Sequence, residues 1–291
     1  MKKVLVIGGS GFMGSHTADL LSDNGYVVTI LDKVTSPWLR DDQTMVVGDT
    51  MDSNILTSAM NKIDYVFYFA GIADIAEAKV NPYKTIELNI MGLTKALEAG
   101  VKNNIAKFIY ASSMYVYSAQ GSFYRATKQA AEVIIEAYQE NYELDFVLLR
   151  YGSLYGPRSQ NWNGIKGLAR QVVNHGTVEY PGNGSEIREY IHVQDAAKLS
   201  VRALHDDYKN KAITITGNQS MRVADMFSML FEIAGKELNV KYLDEQQGSS
   251  HYGHTPYRYT PKTAQKIIPN QFVDLGQGLL DIVEEIHNDQ P

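Results

Sequence analysis

Cysteine is absent from the 291 residues, which excludes disulfides, thiolate-ligated zinc and any thiol redox switch. A basic excess is also missing. The formal net charge is -6 and the pI about 5.7, and no stretch concentrates Lys and Arg, so no nucleic-acid partner is expected. Long apolar runs are lacking too. Val4–Ile7 is a short run that ends in glycines, and no later window reaches the length of a membrane span, so no membrane partner is expected and the cytoplasm is the expected location. There is no internal repeat, low-complexity tract or long linker, and a second domain must therefore pack closely against the first. What remains is an ordinary globular chain, 44% hydrophobic, large enough for one big domain or two joined ones.

The first organised stretch is VLVIGGSGFMGSHTADLLSDNGYVVTILD, residues 4–32. It reads as strand, glycine turn, amphipathic helix and second strand. Gly8, Gly11 and Gly14, with Phe12 and Met13 between them, form a G-x-x-G-x-x-G turn. Such a turn lets backbone approach a pyrophosphate, whose charge the helix N-terminus favours. Asp32 ends the second strand, 18 residues after Gly14, where a carboxylate can accept hydrogen bonds from an adenosine ribose diol and repel a 2′-phosphate. The implied cofactor is NAD. Further on, Gln43–Val47 reads as a strand leading to Asp49, which either contacts the adenine or serves as a turn carboxylate, and to Asp52, a helix cap. Residues 63–71 read as a buried strand whose small end, Ala70-Gly71, leaves space for the dinucleotide. Residues 82–103 read as a long helix with Asn89 inside it, a poor interior helix former that either faces solvent or, the favoured reading, bonds a neighbouring strand.

Residues 110–128, YASSMYVYSAQGSFYRATK, carry the chemistry. Ser112 and Ser113 follow the strand Lys107–Ala111, and Tyr124 and Lys128 lie one turn apart on the next helix, residues 124–142. A Lys ammonium on the face of a Tyr phenol favours phenolate and equips the pair for proton transfer. By itself a Tyr-x-x-x-Lys spacing is expected about once by chance in a chain with this much Tyr and Lys. Its weight comes from the upstream glycine turn. Strands alternate with helices throughout this half, with another strand at 146–150, and that order marks a doubly wound parallel sheet with its ligand site at the carboxyl ends of the strands.

These residues together resemble the extended short-chain dehydrogenase/reductases, in particular the NAD-dependent nucleotide-sugar epimerase/dehydratase group. The resemblance rests on GGSGFMG at 8–14, Asp32, FAG at 69–71, Asn89, SSMYVY at 112–117, YRATK at 124–128, LRYGSLYGPR at 149–158 and REYIHVQDAA at 188–197. It implies an α/β Rossmann domain over 1–153 and a smaller α/β substrate lobe over 154–291, with the segment near 188–200 packing back on the first domain. It also implies Ser113, Tyr124 and Lys128 as catalytic residues, with Tyr124 and Lys128 reaching the cofactor as well. Ser113, Ser153, Arg188 and Arg258 are implied as ligands of a nucleotide-diphosphate sugar, with Arg188 on the diphosphate. The implied activity is a 4-epimerase acting through a transient 4-keto sugar, with a reductase, a decarboxylase or a non-catalytic NAD sensor as alternatives. A homodimer through residues 85–103 and 124–142 follows by the same analogy.

Departures from the family pattern bear on the outcome. Where dehydratases carry an Asp-Glu pair after the catalytic hydroxyl, this chain has Met114 and Tyr115, which disfavours dehydration. Tyr68 replaces a frequent His, Ser118 a Gly and Ser153 a frequent Asn. Ten residues separate Ser113 from Tyr124, fewer than in many relatives, and the expected sugar site is more open or differently shaped. His192 and Asp195 are expected to fix the chain onto the first domain, Asp195 as a helix cap. Residues 251–259, HYGHTPYRY, are expected to close over the nucleotide. His251 and His254 lack further ligands, so no metal is expected, and residues 281–287 are expected to form a final helix.

Overall fold

The computed structural model describes residues 1–243 and 254–258. In chain order the elements of the first half are β1 (Lys3–Ile7), α1 (Phe12–Asp23), β2 (Val27–Asp32), β3 (Gln43–Val47), α2 (Ser53–Ala59) and β4 (Tyr65–Tyr68). They continue with α3 (Ile75–Val80), α4 (Pro82–Ile86), a π-helical turn (Glu87–Met91), α5 (Gly92–Lys102), β5 (Lys107–Ser113), α6 (Ser122–Tyr142) and β6 (Phe146–Tyr151). After them come β7 (Ser153–Tyr155), α7 (Gly164–His175), β8 (Val178–Pro181), β9 (Ile187–His192), α8 (Val193–Arg202), β10 (Lys211–Ile215), β11 (Ser220–Arg222), α9 (Val223–Ile233) and β12 (Val240–Leu243).

The central sheet is seven-stranded and runs β10-β6-β5-β4-β1-β2-β3, every pairing parallel. This is the doubly wound Rossmann-like order. Because both faces are covered, alternate residues of one strand serve two cores. Leu5 and Ile7 pack with α2, α5 and α6 through Leu56, Leu97 and Ile135. Val4 and Val6 pack on the other side with Leu21 of α1 and with Val193 and Ala196 of α8. Tyr151 of β6 and Ser200 of α8 share a buried hydrogen bond of 2.6 Å, which fixes α8 on that face. The second half also contributes β10 to the sheet's edge. A small third core, including Val172, Tyr180, Phe227 and Phe231, gathers α7, β8 and α9 beside the β11-β9-β7 and β12-β8 sheets.

The expected helix over 82–103 is continuous but changes pitch. Its middle turn, Glu87–Met91, is π-helical, and that turn carries Asn89, 3% exposed. The extra residue in a π turn re-aims a side chain that a regular helix would place elsewhere. Asn89 bonds the loop directly after β4 and not the strand itself. Its Oδ1 accepts from the Ile72 amide at 2.7 Å, while Nδ2 donates to the Ile72 carbonyl at 3.0 Å and to Thr127 Oγ1 at 3.1 Å. Gly71 is required above this amide: its φ is +136°, and a Cβ there would lie 2.5 Å from Asn89 Oδ1.

Asn89→Ala leaves both backbone groups of Ile72 without a partner in a buried place. The expected loss is about 3 kcal/mol, read as a lowered urea midpoint with unchanged slope. A loss below about 1 kcal/mol contradicts this account of the π turn.

Candidate active site

The glycine turn leaves β1 at Gly8, whose amide donates to the Leu31 carbonyl at 2.8 Å. Gly8 has φ +80°, and a Cβ there would lie 2.7 Å from the Ala70 amide; one at Gly14 would lie 2.2 Å from the Gly8 carbonyl oxygen. Neither position admits a side chain. The helix α1 starts with no side-chain cap and no acid in its first turn, so its leading amides are left for an anion from outside. At the end of β2, Asp32 Oδ2 accepts from the Ser10 amide at 3.0 Å, which orients the carboxylate beside the turn.

A cavity of about 640 Å³ runs from this turn across the carboxyl ends of the strands. Of the residues expected to bind cofactor, Gly8, Gly11, Phe12, Met13, Gly14, Asp32, Ala70, Gly71, Tyr124 and Lys128 all line it. Asp49 does not line it. Its carboxylate is taken by the Lys33 ammonium at 3.0 Å and the Met51 amide at 2.9 Å, the turn role that competed with adenine contact in the sequence. A wider hollow of about 850 Å³, lined by Tyr26, Tyr65, Arg202 and His205, lies elsewhere and contains none of these groups.

The hydroxyl pair divides its work. Ser112 Oγ donates to Glu132 Oε1 at 2.5 Å, and Glu132 in turn holds Arg150 through Nε–Oε1 at 2.9 Å and Nη2–Oε2 at 2.7 Å. Arg150 also donates to the Tyr117 hydroxyl. This buried network ties β5, α6 and β6 together behind the cavity and commits Ser112 to structure. Both serines line the cavity, but the Ser113 Oγ accepts from the Tyr115 amide at 3.3 Å, leaving its O–H to donate.

Tyr124 and Lys128 lie in the first two turns of α6. The Lys128 ammonium donates to the Ala111 carbonyl at 2.5 Å and sits 4.6 Å from the Tyr110 ring centre and 5.8 Å from that of Tyr124. Burial lowers its pKa from 10.5 to about 8, while the Glu132 carboxylate pulls the other way. Bond and ring faces together hold a cation where water is scarce.

A second cavity, of about 380 Å³, adjoins the first and shares Ser113, Tyr151, Gly152, Leu154, Trp162 and Asn163 with it. Ser153 and Arg188 line this second cavity, where Arg188 Nη2 donates to the Tyr180 hydroxyl at 3.4 Å. Arg258 is exposed and lines neither cavity. Only 254–258 of the tail segment is described; His254 bridges to Ile187, and His251, Tyr259 and the expected helix at 281–287 lie outside the described residues. No group of metal-ligating side chains occurs among the described residues, and no described helix is long and apolar enough to cross a membrane.

One expectation needs correcting. Asp195 does not cap α8: His192 does, its Nδ1 accepting from the Gln194 amide at 3.4 Å, while Asp195 pairs on the surface with Lys198 at 3.1 Å. Tyr68, which stands where the family often has His, lies in the core. It is 1% exposed and stacks between Phe108 and Tyr110 in the core. Sequence reasoning passed over Trp162, whose place in the Asn- and Gly-rich loop before α7 was the available signal, and over Tyr115, seen only as a missing acid.

The profile of the NAD dependent epimerase/dehydratase family matches residues 4–216. The chain belongs to that family. A UDP-glucose 4-epimerase from Bacillus subtilis is 27% identical over 297 residues, spanning 84% of this chain and 86% of its own. A UDP-N-acetylglucosamine 4-epimerase from Methanobrevibacter ruminantium, solved with UDP-N-acetylmuramic acid, is 29% identical, with a TM-score of 0.80 over 89% of this chain and 90% of that one. MoeE5, solved with UDP-glucuronic acid and NAD, is 25% identical, with a TM-score of 0.77 over 98% of this chain and 99% of that one. As a member of the epimerase/dehydratase family this chain is an NAD-dependent enzyme, and the first cavity fits that cofactor: side-chain-free glycines, open helix amides and an oriented Asp32 occur in one line.

The depressed pKa of Lys128 has a consequence for stability. Between pH about 8 and 10.5 the unfolded chain holds the Lys128 proton and the folded one does not, so stability rises with pH in that window. The ligand-free wild-type protein should therefore gain on Lys128→Met as pH goes from 7 to 9.5 in paired urea titrations. A stability difference independent of pH contradicts the buried-cation reading.

Proposed function

We propose that the protein is a nucleotide-sugar 4-epimerase acting through a transient 4-keto sugar, with Ser113, Tyr124 and Lys128 as its catalytic residues. The observation that carries this reading is the junction of the two cavities at Ser113, with Tyr124 and Lys128 lining the cofactor side and Ser153 and Arg188 the other. A sugar whose diphosphate is held by the Arg188 guanidinium reaches Tyr124 through that junction. Residues 1–153 hold the cofactor in this reading and the lobe formed from 154–291 holds the nucleotide sugar.

The Lys128 cation beside Tyr124 favours the phenolate, which takes the proton from the sugar's C4 hydroxyl. Ser113 donates a hydrogen bond to the same oxygen and keeps it in place as it becomes a carbonyl. NAD, when bound, supplies reversible oxidation at C4. After the keto sugar presents its other face, Tyr124 returns the proton to the C4 oxygen, and a product of the same composition as the substrate leaves. Lys128 also reaches the nicotinamide ribose in this reading. Dehydration lacks its acid and base, since Met114 is wholly buried and Tyr115 carries a phenol in place of a carboxyl.

The enzyme is further proposed to be a cytoplasmic homodimer serving carbohydrate biosynthesis. Tyr83, Ile86 and Met91 on the α4–α5 run and Val133 and Tyr142 on α6 are large apolar residues left exposed, and an isologous contact between those helices would cover them.

Tyr124→Phe removes the acid/base group while keeping the ring. With UDP-, GDP-, CDP- and dTDP-sugars as substrates, kcat should fall at least about 100-fold with NAD still bound. Turnover within a few-fold of wild type overturns the assignment, and an unchanged biological effect without turnover in either protein marks an NAD sensor instead.

A further inference from the structure

The end of β5 is fastened to α6 at two successive residues. The Ala111 carbonyl accepts from the Lys128 ammonium at 2.5 Å, and Ser112 Oγ donates to Glu132 Oε1 at 2.5 Å; Ser113 is the residue that follows. On the helix these two fasteners stand one turn apart, and Tyr124 stands one turn before them. A slip of β5 along α6 would break both bonds and carry Ser113 away from Tyr124. The Glu132 fastener is also a charge. Its side chain is 4% exposed and that of Arg150 13%, and the guanidinium meets the carboxylate as a fork, with bonds of 2.9 and 2.7 Å. The Arg150 guanidinium also lies over the Tyr117 ring, 4.7 Å from its centre. A fork of this kind suits an ionised carboxylate.

A tie between α6 and β6 could be made as well by apolar side chains, since a buried ion pair adds little net stability over them. What apolar side chains cannot supply is a negative charge beside Lys128. Among the described residues, the titratable groups that face Lys128 are Tyr110 from β5 and Tyr124 and Glu132 from its own helix. Glu77 of α3, Lys84 of α4 and Tyr151 of β6 line the same cavity. Burial draws the proton off the ammonium, and Glu132 is the carboxylate that opposes this. Glu132 and Arg150 line neither cavity, so both act through other residues. We propose that Glu132 is a positioning residue for the reaction: it keeps the Lys128 ammonium charged beside Tyr124 and holds the Ser112–Ser113 end of β5 in register with α6. The inference rests on the reading of Tyr124 and Lys128 as the proton-transfer pair and adds to it the group that maintains the pair's charge.

The first measurement needs no substrate. Paired urea titrations of Glu132→Gln with and without Lys128→Met, between about pH 6 and 9.5, read the pH at which the folded chain sheds the Lys128 proton. Without the carboxylate that proton leaves earlier, so the rise in stability over the Met partner should begin at least about one pH unit below its onset in the wild-type pair. Glu132→Asp keeps the charge but withdraws the reach to Ser112, and its onset should stay within about half a unit of wild type. If Glu132→Gln does not fold, Glu132→Gln/Arg150→Gln leaves no guanidinium without its counter-charge and should show the same downward shift. The second measurement is kcat/KM against pH on the NAD-loaded protein, with whichever of the UDP-, GDP-, CDP- and dTDP-sugars wild type turns over. Its alkaline limb should move down with the onset in Glu132→Gln and stay in place in Glu132→Asp; a purely structural tie would lower the rate and leave the limb where it is. An onset within about half a unit of wild type in the neutral variants, or an equal displacement in Glu132→Asp, overturns the proposal and leaves the epimerase reading standing. Failure of wild type to turn over any of the sugars removes that reading, and this inference with it.

Discussion

The rest of the structure depends on keeping one ammonium group out of water. Lys128 is a cation in a buried place, held by a single carbonyl bond to Ala111 and by the faces of Tyr110 and Tyr124. Desolvation lowers its pKa and the Glu132 carboxylate one turn further on opposes that shift; ring faces and a carbonyl are partners that favour a cation. All of these partners must stand still for the cation to remain. Parallel pairing of β5 with β4 and β6 fixes Ala111 and Tyr110, and the Ser112–Glu132–Arg150 network locks α6 against both β5 and β6. The same lock places Tyr124 next to the cation.

The glycine turn solves a different problem by a related route. Where the Lys128 end of the cavity is crowded with rings and charges, the other end is made by omission. Gly8 and Gly14 leave no room for side chains, and α1 begins without an internal cap, so backbone dipoles are left open to an anion. The two ends belong to one cavity because β1 and β5 are separated in the sheet only by β4, whose following loop, Ala70-Gly71, is held down from below by Asn89.

Much of this was legible in the order of residues. The glycine turn, Asp32, the β-α alternation and the Ser113-Tyr124-Lys128 set depend on local spacing, and the structure brings those residues to one cavity. The rest depends on geometry that spacing does not announce. Asp49 could be read either way until Lys33 was found beside it, and His192 displaced Asp195 as a cap because a ring nitrogen served where a carboxylate was expected. The π turn at Asn89 answers to a loop seventeen positions earlier, which no helical periodicity announces. Tyr115 was visible only as the absence of an acid; its ring packs against Gly121 and Tyr124, with which a chain turn brings it into contact.

The central claim is that Tyr124 and Lys128 serve a reaction that begins and ends at the same oxidation level. Its most direct test is to purify the protein without added cofactor, identify any nucleotide it retains, and then follow the mass and configuration of nucleotide sugars incubated with it. The account predicts retained NAD, a product of unchanged mass and inverted configuration at C4. An empty protein that consumes added NADH or NADPH and yields a product two hydrogens heavier, or a product lighter by carbon dioxide or water, would contradict it.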